Sequence, residues 1–208
     1  MTYTSALQEY GQYIHYDTQL GSSVTNYFCN LEKAKQFLSR FFEGVSRISE
    51  DYFMYLEDDV QVLGDISNNV LKWDLTGCNR DSAVLSYEMV NHLKKFNPNV
   101  RYGQYYGGCG GSIFRTKFIL DHILNINLDE ELNAYQPFNP NFDSDILFSY
   151  LILKYGGTVG GPPVEMCETF VSGYEQLVEK GIVKIVHKYQ SLYDVPLTKD
   201  DHITLGWD

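Results

Sequence analysis

Apolar positions fall at helical spacing from Leu31 onward. Leu31, Ala34, Phe37, Leu38, Phe41, Phe42 and Val45 share one face behind Asn30, a residue suited to cap a helix. The predicted helix feeds directly into Tyr52-Phe53-Met54-Tyr55-Leu56, an aromatic run that follows the breakers Ser49, Glu50 and Asp51 and reads as a buried strand. The run ends in Glu57-Asp58-Asp59, and apolar character resumes at Val60 and Val62. Upstream the pattern is weak: Leu7, Tyr10, Tyr13 and Ile14 are loosely helical, and Gly21-Ser22-Ser23 is a loop.

Downstream the pattern predicts a short helix over 66–71, a polar loop over 77–80 and a strand over 82–86, then a turn at Phe96-Asn97-Pro98-Asn99. Residues 101–115 mix tyrosines with Gly107-Gly108-Cys109-Gly110-Gly111 and read as a loop entering a strand at Ser112-Ile113-Phe114. A helix is expected over 117–126, an Asn- and Pro-rich connection over 129–141, and an amphipathic helix over 142–155 closed by Gly156-Gly157. A short extended piece over 158–165 and a strand over 182–186 complete the pattern, and residues 174–180 give no clear signal. Helices alternating with strands predict an α/β domain, and 208 residues without an internal repeat or low-complexity linker predict one domain over 1–208.

Charge narrows the partners. A formal net charge of -11 disfavours non-specific binding to nucleic acid or anionic membrane, since both need basic surface. Cys29, Cys78, Cys109 and Cys167 are too scattered for a zinc site or a disulfide framework. Met1 is followed by polar residues and no run reaches the length of a membrane span, so the expectation is a soluble, cytoplasmic protein. Seventeen tyrosines suit ring-shaped ligands.

The acidic triplet carries the chemistry. Three adjacent carboxylates at a strand end repel one another unless a cation neutralises them. At the carboxyl end of a strand in an α/β sheet, where ligands bind, they suit Mg²⁺ or Mn²⁺ completed by substrate phosphates. The alternative is a solvated acidic turn. Asp143 and Asp145 open a predicted helix, where one can cap and the other react. His187-Lys188 follows the last strand, His187 being either a metal ligand or a surface histidine. Gly107 to Gly111, Gly110 and Gly111 included, lets backbone approach a ligand closely, flanked by Tyr105 and Tyr106 as stacking faces. Arg115 and Lys188 are the cations placed nearest a diphosphate, with ordinary solvated charge the reading favoured for Arg115.

In this order the features resemble nucleotide-sugar glycosyltransferases of the GT-A fold. Leu56-Glu57-Asp58-Asp59-Val60 resembles the metal-binding Asp-x-Asp element, Ser144-Asp145 the acidic pair that carries the base in inverting members, and His187 the C-terminal histidine of the metal site. The resemblance covers about residues 30–189. It implies a GT-A-like, Rossmann-like domain with a mixed central sheet flanked by helices. The Mn²⁺ or Mg²⁺ ion would be held by Asp59 with Glu57 or Asp58 and His187, the donor a nucleoside-diphosphate sugar and the acceptor a glycan or other hydroxyl. Family members open with a Val/Ile-rich strand that holds the base; no such run precedes Gly21, so that first strand is missing or the nucleotide is held differently. The alternatives are a non-catalytic carbohydrate- or metal-binding domain, an inactive transferase-like domain, and a sugar nucleotidyltransferase, which would carry an early glycine- and arginine-rich phosphate loop.

Overall fold

Asn30 opens the first helix as the sequence predicts. Its side chain accepts from Lys33 N at 2.9 Å, and helix α1 runs Leu31–Val45. The structure is a computed structural model that describes residues 30–56, 60–68, 71–77, 84–107, 110–160, 164–168 and 173–187. Ala34, Leu38, Phe42 and Val45 form the buried stripe of α1. Beside them Phe41 meets Phe148 at 4.6 Å, Phe114 at 5.4 Å and Phe53 at 5.8 Å between ring centroids. Each such pair adds about 0.5–1.5 kcal/mol beyond area burial, so this aromatic knot fixes α1 against the sheet below it.

The aromatic run is a strand only over its first three residues, and these are half-buried rather than buried. Strand β1 spans Tyr52–Met54 and strand β2 spans Val60–Val62, and they belong to different sheets. With β3 (Leu75–Thr76) and β4 (Ile113–Arg115), β1 forms an antiparallel sheet of order β1-β4-β3. Strands β5 (Met166–Glu168) and β6 (Ile185–His187) join β2 in a second sheet of order β2-β6-β5, antiparallel on one side of β6 and parallel on the other. Instead of one mixed central sheet, the described residues therefore show two three-stranded sheets, with the acidic triplet in the sequence between them. The chain is α/β, and among the described residues no helix is long and apolar enough to cross a membrane.

Other elements depart from the sequence pattern for local reasons. Helix α2 (Tyr87–Leu93) is capped by Ser86, whose side chain accepts from Met89 N at 3.2 Å; two turns with Met89, Val90 and Leu93 buried are too short to signal by periodicity. The predicted strand over 82–86 is reduced, where described, to an isolated bridge between Val84 and Tyr105. Of the short helix expected over 66–71, residues 66–68 are not helical. Helix α3 (Thr116–Phe118) passes into a π-helical turn at Ile119–Ile123.

The connection expected over 129–141 contains helix α4 (Leu128–Tyr135). Asn127 accepts from Glu130 N at 3.4 Å, and Asp129, Glu130 and Glu131 suit the positive end of the helix dipole. Helix α5 (Ser144–Lys154) lies where predicted but is buried nearly all round rather than amphipathic, with Ser144, Asp145 and the stretch from Leu147 to Leu153 all inside. Its C-terminal carbonyls are met by Asn97, whose Nδ2 donates to Leu153 O at 2.9 Å and to Gly157 O at 3.3 Å. Helix α6 (Tyr174–Glu179) precedes β6.

Candidate functional site

Glu57, Asp58, Asp59 and Lys188 lie outside the described residues, and so do Gly108 and Cys109. The framework on either side of them is described. Two residues before Glu57, Tyr55 N donates to Ser112 O at 2.8 Å and Tyr55 O accepts from Gly111 N at 2.7 Å. Gly111 has φ 84°, a left-handed conformation that lets the loop turn back to reach β1, and both it and Gly110 are buried. On the other side of the triplet, Val60 is in register with His187, which is 2% exposed. Of the described residues nearest the acidic triplet in sequence, then, Tyr55 is bonded to the end of the glycine loop and Val60 is paired with His187.

The start of the glycine loop is fixed by α5. Ser149 Oγ donates to Gly107 O at 2.5 Å and accepts from Gly107 N at 3.0 Å; Asp145 O lies 3.1 Å from the same hydroxyl. Gly107 also lies so close to Gly77 that a Cβ would fall 2.7 Å from its Cα and N, so no larger residue fits without moving backbone. The helix bearing the predicted base and the loop predicted to face a ligand are thus one hydrogen-bonded unit.

At the first turn of α5 the two aspartates separate. Asp143, half-buried at the N-cap, accepts from Asp145 N through Oδ1 at 3.0 Å. Asp145 is 2% exposed, and its Oδ1 accepts from Ser144 Oγ at 3.3 Å. Tyr135 closes this corner, donating to Asp143 O at 3.3 Å. Burial, followed by the charges of Asp143 and Asp145, holds its phenol far above the usual tyrosine range, and Tyr106 adds to the same effect. Tyr105 and Tyr106 are half-buried against the main core, their rings stacked at 6.4 Å and 16°.

Arg115 goes elsewhere. Antiparallel pairing sets it opposite Tyr52, at the end of β1 away from the acidic triplet. There its Nη1 meets Asp74 Oδ1 at 3.1 Å and its Nε donates to Tyr52 Oη at 3.1 Å. Asp74 also accepts from Thr158 N at 2.8 Å and Thr158 Oγ1 at 2.7 Å, so the arginine belongs to a network that anchors β3. The guanidinium is thus ion-paired within the fold rather than simply solvated.

Among the described residues no three His, Cys, Asp or Glu side chains come together as a metal site. Tyr55 and Ser112 were read from the sequence as strand residues only, and Ser149 was not singled out. Its trace there is a hydroxyl four residues after Asp145 inside an otherwise apolar run. Comparison of the chain with protein-family models, with curated proteins and with solved structures returns no match.

Proposed function

We propose that the chain is a metal-dependent glycosyltransferase that moves a sugar from a nucleoside-diphosphate sugar to a hydroxyl acceptor, with inversion. The observation that supports this reading is that the described residues on either side of Glu57-Asp58-Asp59, Tyr55 and Val60, are bonded to the elements that carry the other candidate residues. The glycine loop closes on Tyr55 at 2.7 Å, His187 pairs with Val60, and Ser149 ties the loop to the helix of Asp145.

The donor set suits Mn²⁺ or Mg²⁺: carboxylates of Glu57, Asp58 and Asp59, with the imidazole of His187 favouring Mn²⁺. When bound, such an ion supplies charge neutralisation for the departing diphosphate. The chain's own residues do the rest. Asp145, at the first turn of α5, takes the proton from the acceptor hydroxyl as that oxygen attacks the sugar carbon. Backbone at Gly110 and Gly111 lets the sugar approach the loop, Tyr105 and Tyr106 border it, and Lys188 offers a cation to the phosphates. A non-catalytic carbohydrate-binding relative is the second reading, favoured by the 2% exposure of Asp145.

A screen of nucleotide sugars for slow donor hydrolysis with Mn²⁺ separates the two. The transferase reading expects hydrolysis of at least one donor, abolished by EDTA and by Asp59→Ala. Absence of hydrolysis for every donor, together with no calorimetric binding of UDP or GDP in Mn²⁺, would overturn it.

A further inference from the structure

Strand β2 ends the second sheet on one side. Among the described residues it pairs with β6 alone, and its side chains are half-buried or exposed, whereas Met166 and Cys167 of β5, on the other side, are 0% and 1% exposed. Register fixes which groups of β2 face outward. Leu63 N donates to Lys184 O at 2.7 Å, so by the antiparallel alternation Gln61 also turns its amide and carbonyl toward β6, while those of Val60 and Val62 point to the open edge. Natural edges are blunted by lysine, proline or a bulge, and Val60-Gln61-Val62-Leu63 carries neither charge nor proline.

The outer face of the same sheet is covered unevenly. Val186, opposite Gln61, packs with Cys167 and Val183 against Leu177 and Val178 of α6. Residues in register share a face, and so do residues two apart on one strand, so Gln61 and Leu63 continue the face that Val186 presents to α6. There Gln61 is exposed and Leu63 is 38% exposed. An open edge beside an uncovered apolar side chain suits the addition of a strand: backbone bonds hold it and alternate side chains set its register.

We propose that residues 203–207 of this chain add to the open edge of β2 as a further strand of the second sheet. Residues 202–208 read His-Ile-Thr-Leu-Gly-Trp-Asp, apolar at every second position, as a strand with one buried face requires. Set beside β2, Ile203, Leu205 and Trp207 extend the face of Gln61 and Leu63 and cover Leu63. The reach is sufficient. The outer edge of β2 lies two strand spacings, about 10 Å, from β6, and residues 188–201 extend to about 45 Å. A second copy is the poorer occupant: two chains of net charge -11 repel, whereas a tethered segment meets the edge at an effective concentration on the order of millimolar. The inference needs neither the ion nor the transferase reading.

The test is amide hydrogen exchange on the full chain, without metal or nucleotide, read residue by residue by NMR. The amides of Val60 and Val62 are expected to exchange about tenfold or more slowly in the wild type than in Leu205→Asp, which sets a charge on the covered side of the added strand. A second variant, Ile203→Ser with Leu205→Ser, removes the apolar contact without a charge and is expected to act in the same direction. Slow exchange at Leu151, inside α5, reports that each variant is folded. Faster exchange at Val60 and Val62 in a variant that keeps Leu151 slow supports the strand. Rates unchanged in both variants overturn it. So does wild-type protection that falls on dilution, which would give the edge to a second copy.

Discussion

Asp143 and Asp145 stand two residues apart and meet different surroundings. Asp143 accepts the first free amide of α5, while Asp145 points its carboxylate inside, beside Ser144 and below Tyr135. Their substitutions should therefore separate. Asp143→Ala should cost about 1 kcal/mol of stability through the lost cap, read as a lower urea midpoint. Asp145→Asn should leave nucleotide affinity in place and lower turnover about 10²–10⁴-fold, the usual worth of a positioned base. Normal turnover by Asp145→Asn would move the proton transfer to Asp143. That an aspartate pair opened this helix was readable from the sequence; which of the two caps was not, because the choice depends on backbone geometry at Asp143.

Among the elements, α2, α4 and α5 share a buried polar cluster. Lys154 Nζ meets Glu131 Oε2 at 2.5 Å, Tyr155 Oη donates to Glu131 Oε1 at 2.8 Å, and a ring nitrogen of His92 lies 3.2 Å from Tyr150 Oη. Burial above all, then the charges of Lys154 and Lys95, pushes the His92 pKa below its ordinary value, with Glu131 opposing. The folded state therefore resists a proton that the unfolded chain accepts near pH 6.5, and the contribution of neutral His92 is complete above that pH and is lost as pH falls below it. Tm should drop between about pH 7.5 and about pH 5.5, and drop less in His92→Gln. An equal slope in that variant would assign the pH dependence to other groups.

The same scale shows what a sequence pattern carries. Helix α1 was legible because its cap and its apolar stripe agree. Helix α4 was obscured by the Asn and Pro around it, although Asn127 with Glu130 three residues on is itself a start signal. That β1 and β2 join different sheets was hidden because each strand pairs with residues far along the chain, β1 with β4 and β2 with β6. Local alternation reports which residues favour strands; it does not report their partners.

For the whole molecule, the proposed ion would occupy the sequence that joins the two sheets. A ligand held there by the folded state alone stabilises it by about 2.7 kcal/mol at a hundredfold excess over its Kd, which corresponds to a rise in Tm of roughly 5–10 °C at this size. Mn²⁺ with UDP or GDP should produce such a shift in the wild-type chain and not in Asp59→Ala. A shift that survives Asp59→Ala would place the nucleotide elsewhere.

The pairing of Val60 with His187 also sets a timetable. A growing chain emerges amino end first, so β1 can find β4 once residue 115 is available, whereas β2 must wait, its edge uncovered, until residues 185–187 arrive. The cradle of the proposed ion would then be complete only once residues 185–187 have been made, and a shorter nascent chain would not hold the nucleotide.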